Sequence, residues 1–264
     1  MNMNKNNPIK IIFTDLDWTL FDHNQLKYIE SGLSALEEAR KKGIKVIICT
    51  ARCYSSLTRV DAFKMIPHDG YICSGGGVAI AEGEYLYRHH LDNKMVKTLL
   101  KEFKKRKLVA QLISYNQAFL NAPENDIARV YYDNWLEYRP VVKPYKDEEI
   151  TSILLFAKVG EEEFLKKYPV DTFRFFEYGL DITDVPFRKN EGVKAVLDYY
   201  GFSKDEAVAI GDDLADIDMF NEVKYSVAMG NGREEIKDKT YLVTDRIDSD
   251  GFKKALVKLG VIDE

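Results

Sequence analysis

Two carboxylates and a hydroxyl follow an apolar run near the start of the chain. The stretch Lys10–Leu20 begins with apolar, β-branched residues typical of a buried parallel strand and then places Asp15, Asp17 and Thr19 at alternate positions. Beyond a strand end, Asp15 and Asp17 can point into one pocket, where two carboxylates repel each other unless a cation lies between them. Because ligands bind beyond the carboxyl ends of strands in open α/β sheets, the pattern indicates a hard-cation site with a candidate carboxylate nucleophile. On this stretch alone, a strand followed by an Asp-rich turn is an equally good interpretation.

Further polar groups fall at predicted strand or helix ends. They are Thr50 after the strand Ile44–Cys49, Lys189 at the start of a helix, and Asp212 with Asp216 after the strand Ala207–Ile210. Clustered carboxylates suit Mg²⁺, which prefers oxygen ligands, whereas a hydroxyl and an ammonium suit phosphate oxygens. A carboxylate beside Mg²⁺ can attack phosphorus once the charge of the phosphoryl group is neutralised. Taken alone, Thr50 is also compatible with the N-cap of a helix predicted at about Tyr54–Phe63.

The elements that must position these groups belong to an α/β layer that is interrupted by an insert. The first strand, a following amphipathic helix and the strand Ile44–Cys49 form a β-α-β unit, which fits a parallel sheet with right-handed crossovers. From about Asp92, helices and strands mix without a repeating parallel unit, which is typical of an α+β domain. We therefore predict a Rossmann-like catalytic core at residues 1–83 and 186–264, with an inserted α+β domain at residues 84–185.

The composition excludes several functional classes. The 264 residues are 45% hydrophobic and 31% charged, with a net charge of −5, which is ordinary for a soluble globular protein. The basic cluster Lys104–Lys107 lies where a helix is predicted to end, so we expect no nucleic-acid partner. Three cysteines without Cys-x-x-Cys spacing indicate a reducing, cytoplasmic setting without structural zinc. Met1–Asn7 shows no signal peptide and no run approaches the roughly 20 apolar residues of a membrane helix, so we expect no membrane partner.

Five short motifs follow one another along the chain: Asp15–Leu20, Thr50–Arg52, Lys189–Gly192, Gly211–Asp216 and Val227–Asn231. Together they resemble the motifs of the haloacid dehalogenase superfamily, specifically its Cof-like sugar-phosphatase branch with a large α/β cap inserted after the third core strand. Each motif alone is weak evidence, but five in this order and at these spacings are strong evidence. The resemblance extends over almost the whole chain. The resemblance implies a phosphomonoester hydrolase that uses Mg²⁺ and a cap domain that sets substrate specificity.

The resemblance also implies a role for each site residue. Asp15 would be the nucleophile that forms an aspartyl-phosphate, and Asp17 would act first as general acid and then as general base. The implied metal ligands are Asp15, the Asp17 carbonyl, Asp212 and Asp216, and the implied phosphate-binding residues are Leu16, Thr50, Ala51 and Lys189.

Three positions depart from the family pattern. Trp18 follows the second aspartate, where the family usually has glycine, and its indole would narrow the mouth of the pocket. Ala215 precedes the last acid, where the family usually has Asn. Gly75–Gly77 follow the third strand, where the family usually has Asn-Gly-Ala. Asp213 supplies an extra carboxylate that is a candidate to compensate for the lost contact. These departures bear on substrate handling more than on phosphoryl chemistry.

We therefore predict a Mg²⁺-dependent phosphatase that hydrolyses small phosphorylated metabolites, with sugar phosphates as the expected substrates, and that acts as a monomer or weak homodimer. Two alternatives remain open: a phosphomutase that uses the same aspartate, and a phosphosugar-binding sensor with weak turnover. His23 lies close to the first motif and could contact substrate, but we favour its interpretation as a surface-loop residue.

Overall fold

The chain folds into two compact units. The computed structural model describes residues 8–134, 139–184 and 189–263. The first unit comprises Met1–Ala51, Asp61–Tyr87 and Arg188–Glu264, and the second comprises Arg52–Val60 and Arg88–Phe187. The first unit continues through Tyr87 because the strand Glu84–Arg88 belongs to its sheet.

Eight strands among the described residues form the sheet of the first unit. In spatial order they are Leu242–Val243 (β15), Tyr225–Ala228 (β14), Ala207–Gly211 (β13), Ile11–Thr14 (β1), Lys45–Cys49 (β4), Gly70–Cys73 (β5), Val78–Ala81 (β6) and Glu84–Arg88 (β7). Neighbours from β15 to β5 pair in parallel, and β6 pairs antiparallel with β5. The side chains of β1 are completely buried, as its apolar, β-branched sequence predicts. The predicted parallel α/β core is confirmed.

Helices and one short hairpin complete the first unit. The helices are Glu30–Lys41 (α1), Ala62–Met65 (α3), Lys189–Tyr200 (α6), Ile217–Phe220 (α7), Glu234–Lys237 (α8) and Gly251–Lys258 (α9), and the hairpin strands are Phe21–Asp22 (β2) and Lys27–Tyr28 (β3). Helix α1 packs against α9, and α6 packs against α7. Apolar residues of α6 and α7, among them Val193 and Met219, share one core cluster with Ile11 and Phe13 of the central strand. This packing fixes α6, whose first residue is Lys189, against the sheet.

The second unit is an antiparallel sheet with helices, which agrees with the predicted α+β insert. Its strands in spatial order are Asp171–Phe176 (β11), Gly179–Thr183 (β12), Ile150–Phe156 (β10), Val109–Ser114 (β8) and Ala118–Leu120 (β9), and its helices are Tyr54–Arg59 (α2), Asn93–Arg106 (α4) and Asp126–Asn134 (α5). Asp92 caps α4 by accepting hydrogen bonds from the backbone of Lys94 and Met95. No helix in the described ranges is both long enough and apolar enough to cross a membrane.

The helix predicted at about Tyr54–Phe63 is wrong in its extent. The segment forms two helices, α2 and α3, and Asp61 between them has a φ of +52°. A left-handed residue cannot continue the hydrogen-bonded path of a right-handed helix. The apolar spacing of the segment carries no signal for this interruption.

Candidate active site

The predicted acidic residues emerge together at the carboxyl edge of the first unit's sheet. Strand β1 lies between β4 and β13, with Thr14 paired with Ile48 on one side and Ile210 on the other. The backbone N–H of Asp15 donates to the carbonyl of Ile210 at 2.9 Å. The residues that follow the three strands, including Asp15 and Asp212, therefore lie side by side.

Lys189 links two of the carboxylates. Its Nζ donates to Oδ1 of Asp15 and to Oδ1 of Asp216, both at 2.6 Å. Lys189 is only 4% exposed, so water screens these ion pairs little. A Cβ added at Gly192 would lie 2.5 Å from a side-chain carbon of Ile72, so a glycine is needed where α6 crosses β5. This close approach brings the start of α6, and with it Lys189, to the end of the sheet.

Asp216 anchors the loop that follows β13. Its Oδ2 accepts hydrogen bonds from the backbone N–H groups of Asp212 and Asp213, at 2.8 and 3.0 Å. A Cβ added at Gly211 would lie 2.3 Å from this same oxygen, so only a glycine allows the carboxylate to fold over the strand end. Both oxygens of Asp216 thus have donors, one from Lys189 and the other from the loop backbone.

Burial and crowded negative charge govern the electrostatics of the site. Asp15, Asp212 and Asp216 each present a carboxylate oxygen within 4.8 Å of the others. Burial raises the pKa of Asp15 to about 8; the Lys189 ammonium opposes this rise, whereas Asp216 and Asp17 add to it. Burial, together with Asp15 and Asp216, raises the pKa of Asp212 to about 9. Burial alone would lower the pKa of Lys189, but Asp15 and Asp216 hold it well above its usual value, so the lysine stays charged. One ammonium faces three carboxyl groups, and a divalent cation would offset the remaining repulsion.

The turn after Asp15 closes on the backbone of Leu16. The N–H groups of Leu20 and Phe21 both donate to the Leu16 carbonyl at 2.9 Å, and the Trp18 N–H donates to the Phe21 carbonyl at 2.9 Å. Trp18 has a φ of +59°, a left-handed conformation that glycine adopts without strain. This conformation gives a physical reason for the glycine that is usual here, and Trp18 makes the same turn with a bulky side chain.

Asn231 fastens this turn from a distant part of the chain. Its Nδ2 donates to the Trp18 carbonyl at 2.8 Å, and its Oδ1 accepts from the Ile247 backbone N–H at 2.8 Å. Asn231 lies in the motif Val227–Asn231, but the family resemblance assigns it no role.

His23 contacts the side chain of Asp17. Its Nε2 lies 2.7 Å from Asp17 Oδ1, and only 11% of the His23 side chain is exposed. His23 therefore lies in a turn, as interpreted, but its side chain packs against Asp17 instead of facing solvent. The hairpin formed by β2 and β3 returns the histidine to the turn, where its ring contacts those of Trp18 and Phe21. In the sequence, these neighbouring aromatic residues are the signal that the imidazole is packed.

The phosphate-binding candidates after β4 differ in burial. Thr50 is buried and its backbone N–H donates to the Ile72 carbonyl at 2.9 Å, whereas Ala51 is exposed. The N-cap of α2 is Cys53, so the N-cap interpretation of Thr50 is wrong. Thr50 lies where β4 leaves the sheet, beside the end of β1.

Asp213 has its partners at the surface. Its Oδ1 lies 2.9 Å from Nε of Arg233 and accepts from the Leu214 backbone N–H, and its side chain is half-exposed. That this extra carboxylate compensates for Ala215 stays a prediction. The Gly75 position has a φ of +63° within a short 3₁₀ turn.

Similarity to known proteins identifies the family. The sequence pattern of the haloacid dehalogenase-like hydrolases matches residues 12–256, and the chain belongs to this family. The kanosamine-6-phosphate phosphatase of Bacillus subtilis (strain 168) is 27% identical over 96% of this chain and 93% of its own length. A hypothetical protein from Geobacillus kaustophilus HTA426 superposes with a TM-score of 0.90 at 28% identity, covering 96% of this chain and 100% of that one. The haloacid dehalogenase subclass IIB sugar phosphatase BT4131 superposes with a TM-score of 0.81 at 25% identity, with the same coverage. The predicted family, α/β fold and enzyme class are confirmed.

Proposed function

We propose that this hydrolase is a Mg²⁺-dependent phosphatase that acts on small phosphorylated metabolites through an aspartyl-phosphate on Asp15. The observation that carries the proposal is the contact of Asp15 with Lys189 at 2.6 Å, next to the carboxylates of Asp212 and Asp216. A nucleophile, a cation to hold a phosphoryl group and a set of oxygen ligands are thus adjacent.

The donor set fits Mg²⁺, which prefers carboxylate and carbonyl oxygens. Asp15 and Asp212 are the best-suited ligands, because both oxygens of Asp216 already accept hydrogen bonds. We assign Asp216 to supporting the ligands and the Asp17 carbonyl to the metal. When bound, the cation would supply positive charge against the carboxylates and the phosphoryl group.

The protein groups have separate tasks in the proposed reaction. A carboxylate oxygen of Asp15 attacks phosphorus, the bond to the ester oxygen breaks, and Asp17 gives its proton to the leaving oxygen. Asp17 then takes a proton from a water molecule that attacks the phosphoryl group, which releases inorganic phosphate and restores Asp15. Lys189 and Thr50, with the backbone of Leu16 and Ala51, would hold the phosphoryl oxygens in place.

We further propose sugar phosphates as substrates and residues 84–185 as the part that selects among them. The kanosamine-6-phosphate phosphatase and the BT4131 sugar phosphatase, both similar to this chain over nearly its full length, support the substrate class.

The proposed function predicts phosphate release that depends strictly on Mg²⁺. The purified chain, incubated with a panel of phosphomonoesters that includes hexose and pentose phosphates, should release inorganic phosphate from some sugar phosphates when Mg²⁺ is present. A chelator should abolish the release and added Mg²⁺ should restore it, whereas Ca²⁺ should inhibit because its looser coordination disturbs in-line attack. Undiminished turnover in chelator would contradict the assignment of the carboxylates to a metal.

A further inference from the structure

A histidine outside the five family motifs touches the proposed acid–base residue. His23 Nε2 lies 2.7 Å from Asp17 Oδ1, and the two side chains are 11% and 22% exposed. A hydrogen bond of this length in a partly dry place restricts the rotation of the Asp17 carboxyl. The contact therefore holds the Asp17 carboxyl in a defined orientation.

Two aromatic rings hold the imidazole in place. The ring of Trp18 lies 5.1 Å from that of His23 at an angle of 35°, and the ring of Phe21 lies 5.0 Å away in an edge-to-face arrangement at 81°. Phe21 in turn contacts Tyr28 on the paired strand β3, with ring centroids 5.1 Å apart. The histidine is thus supported by the turn on one side and by the hairpin on the other.

Trp18 contacts the His23 ring although its own backbone is strained. A bulky residue at a φ of +59° is a genuine outlier, and such outliers persist when the surrounding structure over-determines them. Hydrogen bonds from the Trp18 N–H to the Phe21 carbonyl and from Asn231 to the Trp18 carbonyl fix that backbone. An indole here contacts His23, which a glycine could not do.

We infer that His23, backed by Trp18, is a positioning residue that orients the Asp17 carboxyl for both proton transfers. The inference rests on the proposed function, because it assumes that Asp17 is the acid and base of that reaction. The imidazole Nε2–H donates to Asp17 Oδ1, and the Asp17 carboxyl so oriented carries the proton to the leaving oxygen. The same hydrogen bond persists when the carboxylate later accepts a proton from water, so the histidine need not change its charge.

The leaving group of the substrate tests this role. An alkyl phosphate needs a proton on its leaving oxygen, whereas p-nitrophenolate scarcely does. We expect His23→Ala to lower kcat/KM for an alkyl phosphate by about 10–100-fold and for p-nitrophenyl phosphate by less than about 3-fold. His23→Gln, whose amide can also donate to Asp17, should recover most of the loss.

Two further variants keep the test decisive. Trp18→Gly relieves the backbone strain and removes the ring, so it should fold and shift the ratio of the two kcat/KM values in the same direction as His23→Ala. His68→Ala, at a half-buried histidine bonded to the Ile66 carbonyl, should leave the ratio unchanged. Equal losses on both substrates, or no loss, in His23→Ala and Trp18→Gly would overturn the positioning role while leaving the proposed function intact. A wild-type protein that hydrolyses neither substrate would instead refute the proposed function and the inference with it.

Discussion

Asp15→Asn is expected to lower kcat/KM for p-nitrophenyl phosphate by at least about 10⁴-fold, because it removes the group that forms the covalent bond to phosphorus. A good leaving group cannot compensate, since the lost step is the attack itself. The amide keeps the size of the side chain, and its oxygen can still accept the hydrogen bond that Lys189 donates to Asp15. The fold should therefore survive and the loss should be chemical.

Steady-state kinetics of wild type and Asp15→Asn, with thermal unfolding as the check on folding, measure this effect. Asp213→Asn is a matched control, because Asp213 is an acid of the same region that is half-exposed and paired with Arg233. It should stay within about 3-fold of wild type, as surface substitutions usually do. An Asp15→Asn protein with more than about 1% of wild-type activity would refute the nucleophile assignment.

Asp212→Asn is expected to abolish the response to Mg²⁺ and, at the same time, to stabilise the metal-free protein. Lys189 donates hydrogen bonds to Asp15 and Asp216, so Asp212 has no equally direct partner cation among the described residues. The hydroxyl Oγ1 of Thr19 donates to Asp212 Oδ1 at 3.5 Å. The pKa of Asp212 is raised to about 9, first by burial and then by the neighbouring carboxylates, so folding of the metal-free protein must either protonate this group or bury its charge. An amide carries no charge and needs no proton, so the replacement removes this cost and should add about 1–2 kcal/mol to the free energy of unfolding.

Thermal unfolding with and without Mg²⁺ measures both effects. Without metal, the Tm of Asp212→Asn should exceed that of wild type by about 2–8 °C. With millimolar Mg²⁺, the Tm of wild type should rise and that of Asp212→Asn should not, while Asp213→Asn should respond as wild type does. A variant that keeps the full Mg²⁺-induced shift would show that the metal binds elsewhere.

The edge of the sheet that holds the candidate site could be predicted because its signals are local. The strand Ile11–Thr14 opens with three apolar residues, and the acidic residues start abruptly at Asp15. Parallel strands end at one edge, so the order of strands alone brings Asp15 and Asp212 together. Lys189 is likewise indicated by its place at the start of a helix with Gly192 in its first turn.

The contacts that orient these groups could not be predicted, because they join separate parts of the chain through side chains. Nothing near Asn231 in sequence indicates that its amide binds the Trp18 carbonyl, which lies 213 positions earlier. The contact of His23 with Asp17 depends on a hairpin of two-residue strands, which is too short to give a period-2 pattern. The left-handed conformation of Asp61, which divides a predicted helix, has no counterpart in helix propensity or apolar spacing.

The most direct test of the proposed chemistry is to trap the phosphoryl group on Asp15. Asp17→Asn removes the acid and base but leaves the nucleophile, so p-nitrophenyl phosphate should still phosphorylate the enzyme, whereas hydrolysis of the intermediate should stall. Rapid-quench kinetics should show a burst of p-nitrophenol close to one equivalent per enzyme, and intact-mass and peptide-mass analysis should place one phosphoryl group on the peptide that contains Asp15. Steady turnover of this variant with an unmodified Asp15 would mean that water attacks phosphorus directly, and would contradict the aspartyl-phosphate mechanism.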